Sequence, residues 1–145
     1  MGIPARMSIV TLGVTDLERS KTFYEAIGWE LVKSSVDGVI YWFRTADSYL
    51  GLYEYAALAQ DANLSPNQRP AFSGFTVAIC VDSDEAVASA IEQAAGAGAE
   101  VLKPAQKAAE FEGFHGYFAD PDGYAWEVAN NPNFPIGDDG RITIP

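Results

Sequence analysis

Apolar residues recur at helical spacing in two stretches of the chain and alternate with polar or small ones in several short runs. Leu17, Phe23, Tyr24 and Ile27 fall on one helical face behind Thr15-Asp16-Leu17-Glu18. That tetrapeptide reads as a capping box, with Thr15 as N-cap and Glu18 at N3, and Gly28 closes the helix. Asp82-Ser83-Asp84-Glu85 reads as a second box, followed by Val87, Ile91, Ala94 and Ala95, with Gly96 and Gly98 as stops. A similar strand follows each stop: Gly28-Trp29-Glu30-Leu31-Val32-Lys33 and Gly98-Ala99-Glu100-Val101-Leu102-Lys103. Asp16 and Asp82 thus mark corresponding points of two modules of nearly equal length.

Each module places one strand before its helix and three after it. In the first, residues 7–57, the strands are Ser8–Val14, Trp29–Ser34, Val39–Arg44 and Tyr49–Tyr55. In the second, residues 73–130, they are Phe75–Val81, Glu100–Lys103, Phe114–Ala119 and Tyr124–Ala129. Residues 58–72 read as a linker, 104–112 as a second loose stretch, and 131–145 as a tail, all within one domain spanning 1–145. The expected class is α+β: two βαβββ modules that face each other and form a cup-shaped, mixed but mostly antiparallel sheet.

Strand parity supports the cup. Val10, Leu12 and Val14 oppose Ile9, Thr11 and Gly13; Phe75, Val77, Ile79 and Val81 oppose Thr76, Ala78 and Cys80. Leu50 and Leu52 oppose Tyr49, Gly51, Tyr53 and Tyr55, while Trp126 and Val128 oppose Ala125, Glu127 and Ala129. One face is apolar enough to lie under a helix. The other is small, polar or aromatic, which leaves room for a ligand or suits the tight packing of a small barrel. The tyrosine stripe Tyr49, Tyr53 and Tyr55 offers either a ligand wall or a dimer interface.

The run Phe118-Ala119-Asp120-Pro121-Asp122-Gly123-Tyr124-Ala125-Trp126-Glu127 turns one strand into the next through Asp-Gly, the dipeptide that supplies positive φ. Glu127 is a single charge at a strand centre and needs a partner or a task. The chain's one histidine, His115, shares its strand face with Tyr117 and is a candidate acid/base partner for Glu127. A lone histidine beside glycine is more often a solvated loop-end residue, and that is the favoured reading.

Charge narrows the range of partners. Nine basic residues against twenty acidic ones give a net charge of −11, which disfavours nucleic acid and anionic membranes and permits a cationic ligand. No apolar run reaches the roughly 20 residues of a membrane span, and the N-terminus lacks the build of a signal peptide. One cysteine, Cys80, gives no reason to invoke an oxidising compartment, so a cytoplasmic location is expected.

Val14-Thr15-Asp16-Leu17-Glu18-Arg19-Ser20-Lys21-Thr22-Phe23-Tyr24, the duplicated βαβββ order and the Asp-Pro-Asp-Gly-Tyr-Ala-Trp-Glu run together resemble the vicinal oxygen chelate superfamily of glyoxalase I, bleomycin-resistance proteins and extradiol dioxygenases. The resemblance covers nearly the whole chain. Asn131-Pro132-Asn133-Phe134-Pro135 and Gly140–Pro145 are similar to the ends of small bacterial members. It implies four metal-ligand positions, which fall here on Ile9, Gly51, Thr76 and Glu127. Only Glu127 is a strong donor for a divalent first-row ion, and a carboxylate-only site would have to recruit Glu54 or Glu110.

The resemblance implies two leading functions, beside a blander third, a partner-binding or regulatory module with a vestigial cavity. One is metal-independent binding of a small organic molecule, cationic or aromatic, by a homodimer, with Thr11, Tyr53, Tyr55, Thr76, Tyr117 and Glu127 at the ligand. The other is a glyoxalase-like or dioxygenase-like enzyme (lyase, isomerase or oxidoreductase) with Glu127 and His115 catalytic. Mn, Fe, Co, Ni or Zn enters only in that second case.

Overall fold

The computed structural model describes residues 2–67 and 69–145, which fall into two units divided after residue 68. Each is an α+β unit built on its own mixed sheet. No helix among the described residues is long and apolar enough to cross a membrane.

The first unit runs β1 (Ile9–Val14), α1 (Leu17–Ala26), β2 (Ile40–Arg44), β3 (Tyr49–Glu54) and α2 (Tyr55–Asp61). Its sheet has the order β1-β3-β2, with β1 parallel and β2 antiparallel to β3. Alternate residues Leu12, Val14, Tyr41, Phe43, Leu50 and Leu52 are buried together with Phe23 and Tyr24 of α1, as the period-2 and helical patterns require.

Local details differ from the sequence reading. Asp16, not Thr15, caps α1 and accepts from the Arg19 amide at 3.0 Å, while the Thr15 hydroxyl accepts from the Arg19 guanidinium. Gly28, at φ +93°, does close the helix: its amide bonds Glu25 O, and the Trp29 amide bonds Tyr24 O. The strand expected at Trp29–Ser34 reduces to a bridge from Leu31 to Phe43. There the Ser35 hydroxyl takes the Trp42 amide, a side chain standing in for a ladder carbonyl. The linker expected from residue 58 begins inside α2, and Tyr55 is the first residue of that helix instead of a strand residue. Glu54 caps α2, its carboxylate accepting from the Ala56 and Ala57 amides, which commits it away from any metal role.

Glu18, freed from the expected capping box, bonds the buried Tyr41 hydroxyl. That hydroxyl also lies 2.7 Å from Asp37 Oδ1 and accepts from the Gly38 amide at 3.1 Å. The bond to Glu18, with further contributions from Asp37 and burial, pushes the phenol from its ordinary 10.0 up to about 12. A phenol raised in the fold stabilises it fully below pH 10.0, and that contribution disappears as pH climbs through about 12. The gap in urea midpoint between wild type and Tyr41→Phe is therefore expected to shrink over that window. A gap constant with pH would contradict this assignment.

The second unit runs β4 (Val77–Cys80), α3 (Asp84–Gly96), β5 (Glu100–Lys107), β6 (Phe114–Ala119) and β7 (Ala125–Asn130). Its sheet order is β4-β7-β6-β5, with only the β4–β7 pair parallel. Helix α3 packs across β5, β6 and β7. Val87, Ile91 and Ala94 are buried on the helix; Phe118, Trp126 and Val128 are buried on the strands, the Phe118 and Trp126 rings stacked at 6.3 Å. Ser83 caps α3 where Asp82 was expected, with Asp84 and Glu85 in the first turn to suit the helix dipole. Gly98 repeats the Gly28 stop at φ +106°.

Strand β5 outlasts the sequence reading, which let it end at Lys103. It continues to Lys107 with register shifts on both sides of Lys103, and Pro104 is tolerated because β5 is an edge strand. The bulged backbone presses on β6 at Gly116, where an added Cβ would lie 2.9 Å from Lys103 O.

Candidate functional site

The face of the second sheet turned away from α3 carries its chemistry. Register places Lys103, Tyr117, Glu127 and Ala78 in one row across β5, β6, β7 and β4. The next row holds Gln106, His115, Ala129 and Cys80. Glu127 and His115 therefore lie on the same face of adjacent strands, offset by one row. His115 Nδ1 is 2.8 Å from Glu127 Oε2, the two side chains being 11% and 20% exposed. The solvated loop-end reading of His115 is thereby corrected: the residue is buried within β6 and pairs with Glu127, the partner the sequence offered only as a candidate.

A carboxylate at Nδ1 selects between the two neutral tautomers: the proton belongs on Nδ1, and in the neutral ring Nε2 carries the lone pair. Among the described residues Nε2 has no side-chain or backbone partner, and no buried side-chain nitrogen or oxygen is left unsatisfied. Nε2 accordingly meets solvent. The Phe111 and Tyr117 rings hold the imidazole edge-on, at 5.4 and 5.7 Å. Burial first, then the nearby charge of Glu127, push the Tyr117 pKa up. Burial and the same charge push up the Cys80 thiol, which keeps it a neutral, poorly nucleophilic group.

The remaining candidates are more dispersed. Thr76 is exposed and precedes β4. Thr11 and Tyr53 share a face of the first sheet with Gly51, Ile9 and Trp42. Tyr55 has left that stripe for α2, where it packs over Gly13. Tyr49 is bonded to Arg44 at 2.8 Å. Lys103 and Phe111 were not singled out from sequence, because the bulge that sets the orientation of Lys103 has no local signature.

The family-type ligand positions do not fit a metal. Ile9 and Gly51 bring no donor, Thr76 brings a neutral hydroxyl, and Glu127 is already engaged by His115. No group of three or more His, Cys, Asp or Glu able to hold an ion occurs among the described residues. At Gly51 the space for a side chain is already filled: a Cβ would sit 2.9 Å from Thr11 Oγ1 and 3.4 Å from the Trp42 ring. Gly51→Ala is expected to cost ~1–3 kcal/mol by overpacking. Thermal melts check this, with Thr11→Ala in the same chain expected to recover part of the loss.

The family model for the Glyoxalase/Bleomycin resistance protein/Dioxygenase superfamily matches residues 6–128. Among solved structures, a glyoxalase-related enzyme from Fulvimarina pelagi is 32% identical, with TM-score 0.85 over 97% of this chain and 98% of its own. A fosfomycin resistance protein, FosX, from Listeria monocytogenes is 24% identical, with TM-score 0.66 over 89% of this chain and 95% of its own. A lactoylglutathione lyase from Agrobacterium tumefaciens is 21% identical, with TM-score 0.63 over 89% and 96%. No curated protein matches the chain.

Proposed function

The chain belongs to the glyoxalase/bleomycin resistance protein/dioxygenase superfamily, and from that premise we propose that it binds a small organic molecule on the Glu127 face of its second sheet without the family's metal. The observation that carries this reading is the arrangement of that face. Small residues Ala78, Cys80, Ala125 and Ala129 surround a partly exposed polar cluster of His115, Glu127 and Tyr117. Small side chains leave volume, the aromatic rings supply contact area, and His115 Nε2 supplies a directed acceptor.

Metal independence rests on the donor set, and elemental analysis of protein purified without chelators tests it. No stoichiometric metal is expected, and no saturable rise in melting temperature with Mn, Fe, Co, Ni or Zn. Stoichiometric metal would overturn this part of the reading.

The His115–Glu127 geometry also favours a second reading, in which the bound molecule reacts. His115 Nε2 would take a proton from an acidic C–H or O–H of the substrate, while Glu127 holds the imidazole and stabilises the charge it acquires. Tyr117, kept protonated by its raised pKa, would donate to the developing anion. The 32% identical relative, described as a glyoxalase-related enzyme, supports this reading as well.

A further inference from the structure

The net charge of −11 permits a cationic ligand, but the cation on the Glu127 face, Lys103, stands without a carboxylate partner. Glu127 keeps its charge but has Oε2 engaged by His115 Nδ1 at 2.8 Å, so that oxygen is turned to a partner within the protein. Lys103, in the same row, is part-buried, with its Nζ 5.5 Å from the centroid of the Tyr117 ring. Among the described residues no carboxylate lies within ion-pair range of it. The other carboxylate on this face, Glu100, pairs with Ala119 at the far end of β5 and is exposed.

A lysine whose recorded partner is a ring face keeps three donors for an incoming group, and a ring face compensates a cation less than a carboxylate does. The bulges on both sides of Lys103 aim this stem onto the face, and the close approach at Gly116 fixes the backbone there. We infer that the site takes a small organic anion, a carboxylate or similar oxyanion on a planar body. Lys103 is the counter-charge, the Tyr117 and Phe111 rings bear on the body, and His115 Nε2 faces a donor on the ligand. The inference rests on the binding reading above and names the ligand class for that same face. Bulk charge governs long-range encounter, whereas the unpaired charge in contact with the ligand governs selection.

Three isosteric probes separate the possibilities: benzoate, benzamide and benzamidinium, titrated while the resonances of the single histidine and of Tyr117 are followed by NMR. Benzoate is expected to bind tightest. Lys103→Met keeps the aliphatic stem on Tyr117 and is expected to weaken benzoate about tenfold while leaving benzamide unchanged. Lys103→Arg is expected to retain benzoate, and matched thermal melts show that both variants are folded. Benzamidinium binding tightest would overturn the anion assignment and leave the binding reading standing. Benzoate unaffected by Lys103→Met would overturn the role of Lys103. Resonances of His115 and Tyr117 unmoved by all three probes would overturn the binding reading, and this inference with it.

Discussion

Glu127→Gln is expected to lower affinity for a ligand that donates to His115 by about tenfold or more, and any turnover at this face by ~10²–10⁴-fold. The carboxylate accepts from the imidazole at Nδ1 and lies opposite Tyr117 in the β6–β7 register. An amide of the same shape presents either its oxygen or its NH₂ to the imidazole. With the NH₂ at Nδ1 the imidazole reverses its tautomer, turning Nε2 from acceptor to donor; with the oxygen there the bond survives in a weaker, uncharged form. In both cases the negative charge that holds the proton on Nδ1 is gone. Because the two residues act as a unit, combining the change with His115→Asn is expected to be little worse than either change alone. Additive losses, or an unchanged affinity in Glu127→Gln, would contradict the pairing as the functional element.

The second large effect lies at the turn that brings Glu127 into place. Asp120 is buried, and its Oδ1 accepts from the Asp122 amide at 3.0 Å and the Tyr124 amide at 2.9 Å. Gly123, at φ +88°, lets the chain reverse, and its amide returns to Asp120 O. Asp120→Ala leaves two amides without their charged acceptor. At ~1.5–3 kcal/mol for a bond to a charged group, the expected loss is ~2–4 kcal/mol, since water repays part of it. Urea denaturation measures it, and Asp120→Asn is expected to recover about half by keeping one acceptor oxygen. The consequence reaches the site, because β6–β7 register is set here and a one-residue slip would turn Glu127 to the α3 side. A loss under about 0.5 kcal/mol would show that the turn holds without Asp120.

Much of this frame was legible in the sequence because it depends on short-range rules. The two glycine stops, the parity of β1, β3, β6 and β7, and the Asp-Gly turn are local, and each lies where the pattern placed it. Parity puts His115 with Tyr117, but the β6–β7 register that brings it to Glu127 is a long-range property, which is why the sequence alone favours the solvated reading. What was not legible depends on longer-range competition. Thr15 and Asp82 look like caps, but their neighbours Asp16 and Ser83 take the amides, and Glu18 is drawn off to Tyr41. Ala56–Ala59 forms a helix because Glu54 caps it, whereas the Ser34-Ser35 region breaks its ladder through a side-chain bond. Lys103 was hidden because a bulge shifts its register, and an inserted residue in an edge strand carries no hydrophobic pattern to reveal it.

A long-range proton–nitrogen spectrum of His115, recorded on the free protein and with a mixture of small aromatic fragments, tests the central claim most directly. Expected is an imidazole protonated at Nδ1 with Nε2 bare, and an Nε2 resonance that moves with at least one fragment. An imidazole protonated at Nε2 instead, unmoved by fragments that raise the melting temperature, would show that ligands bind elsewhere and that Glu127 and His115 are only a structural pair.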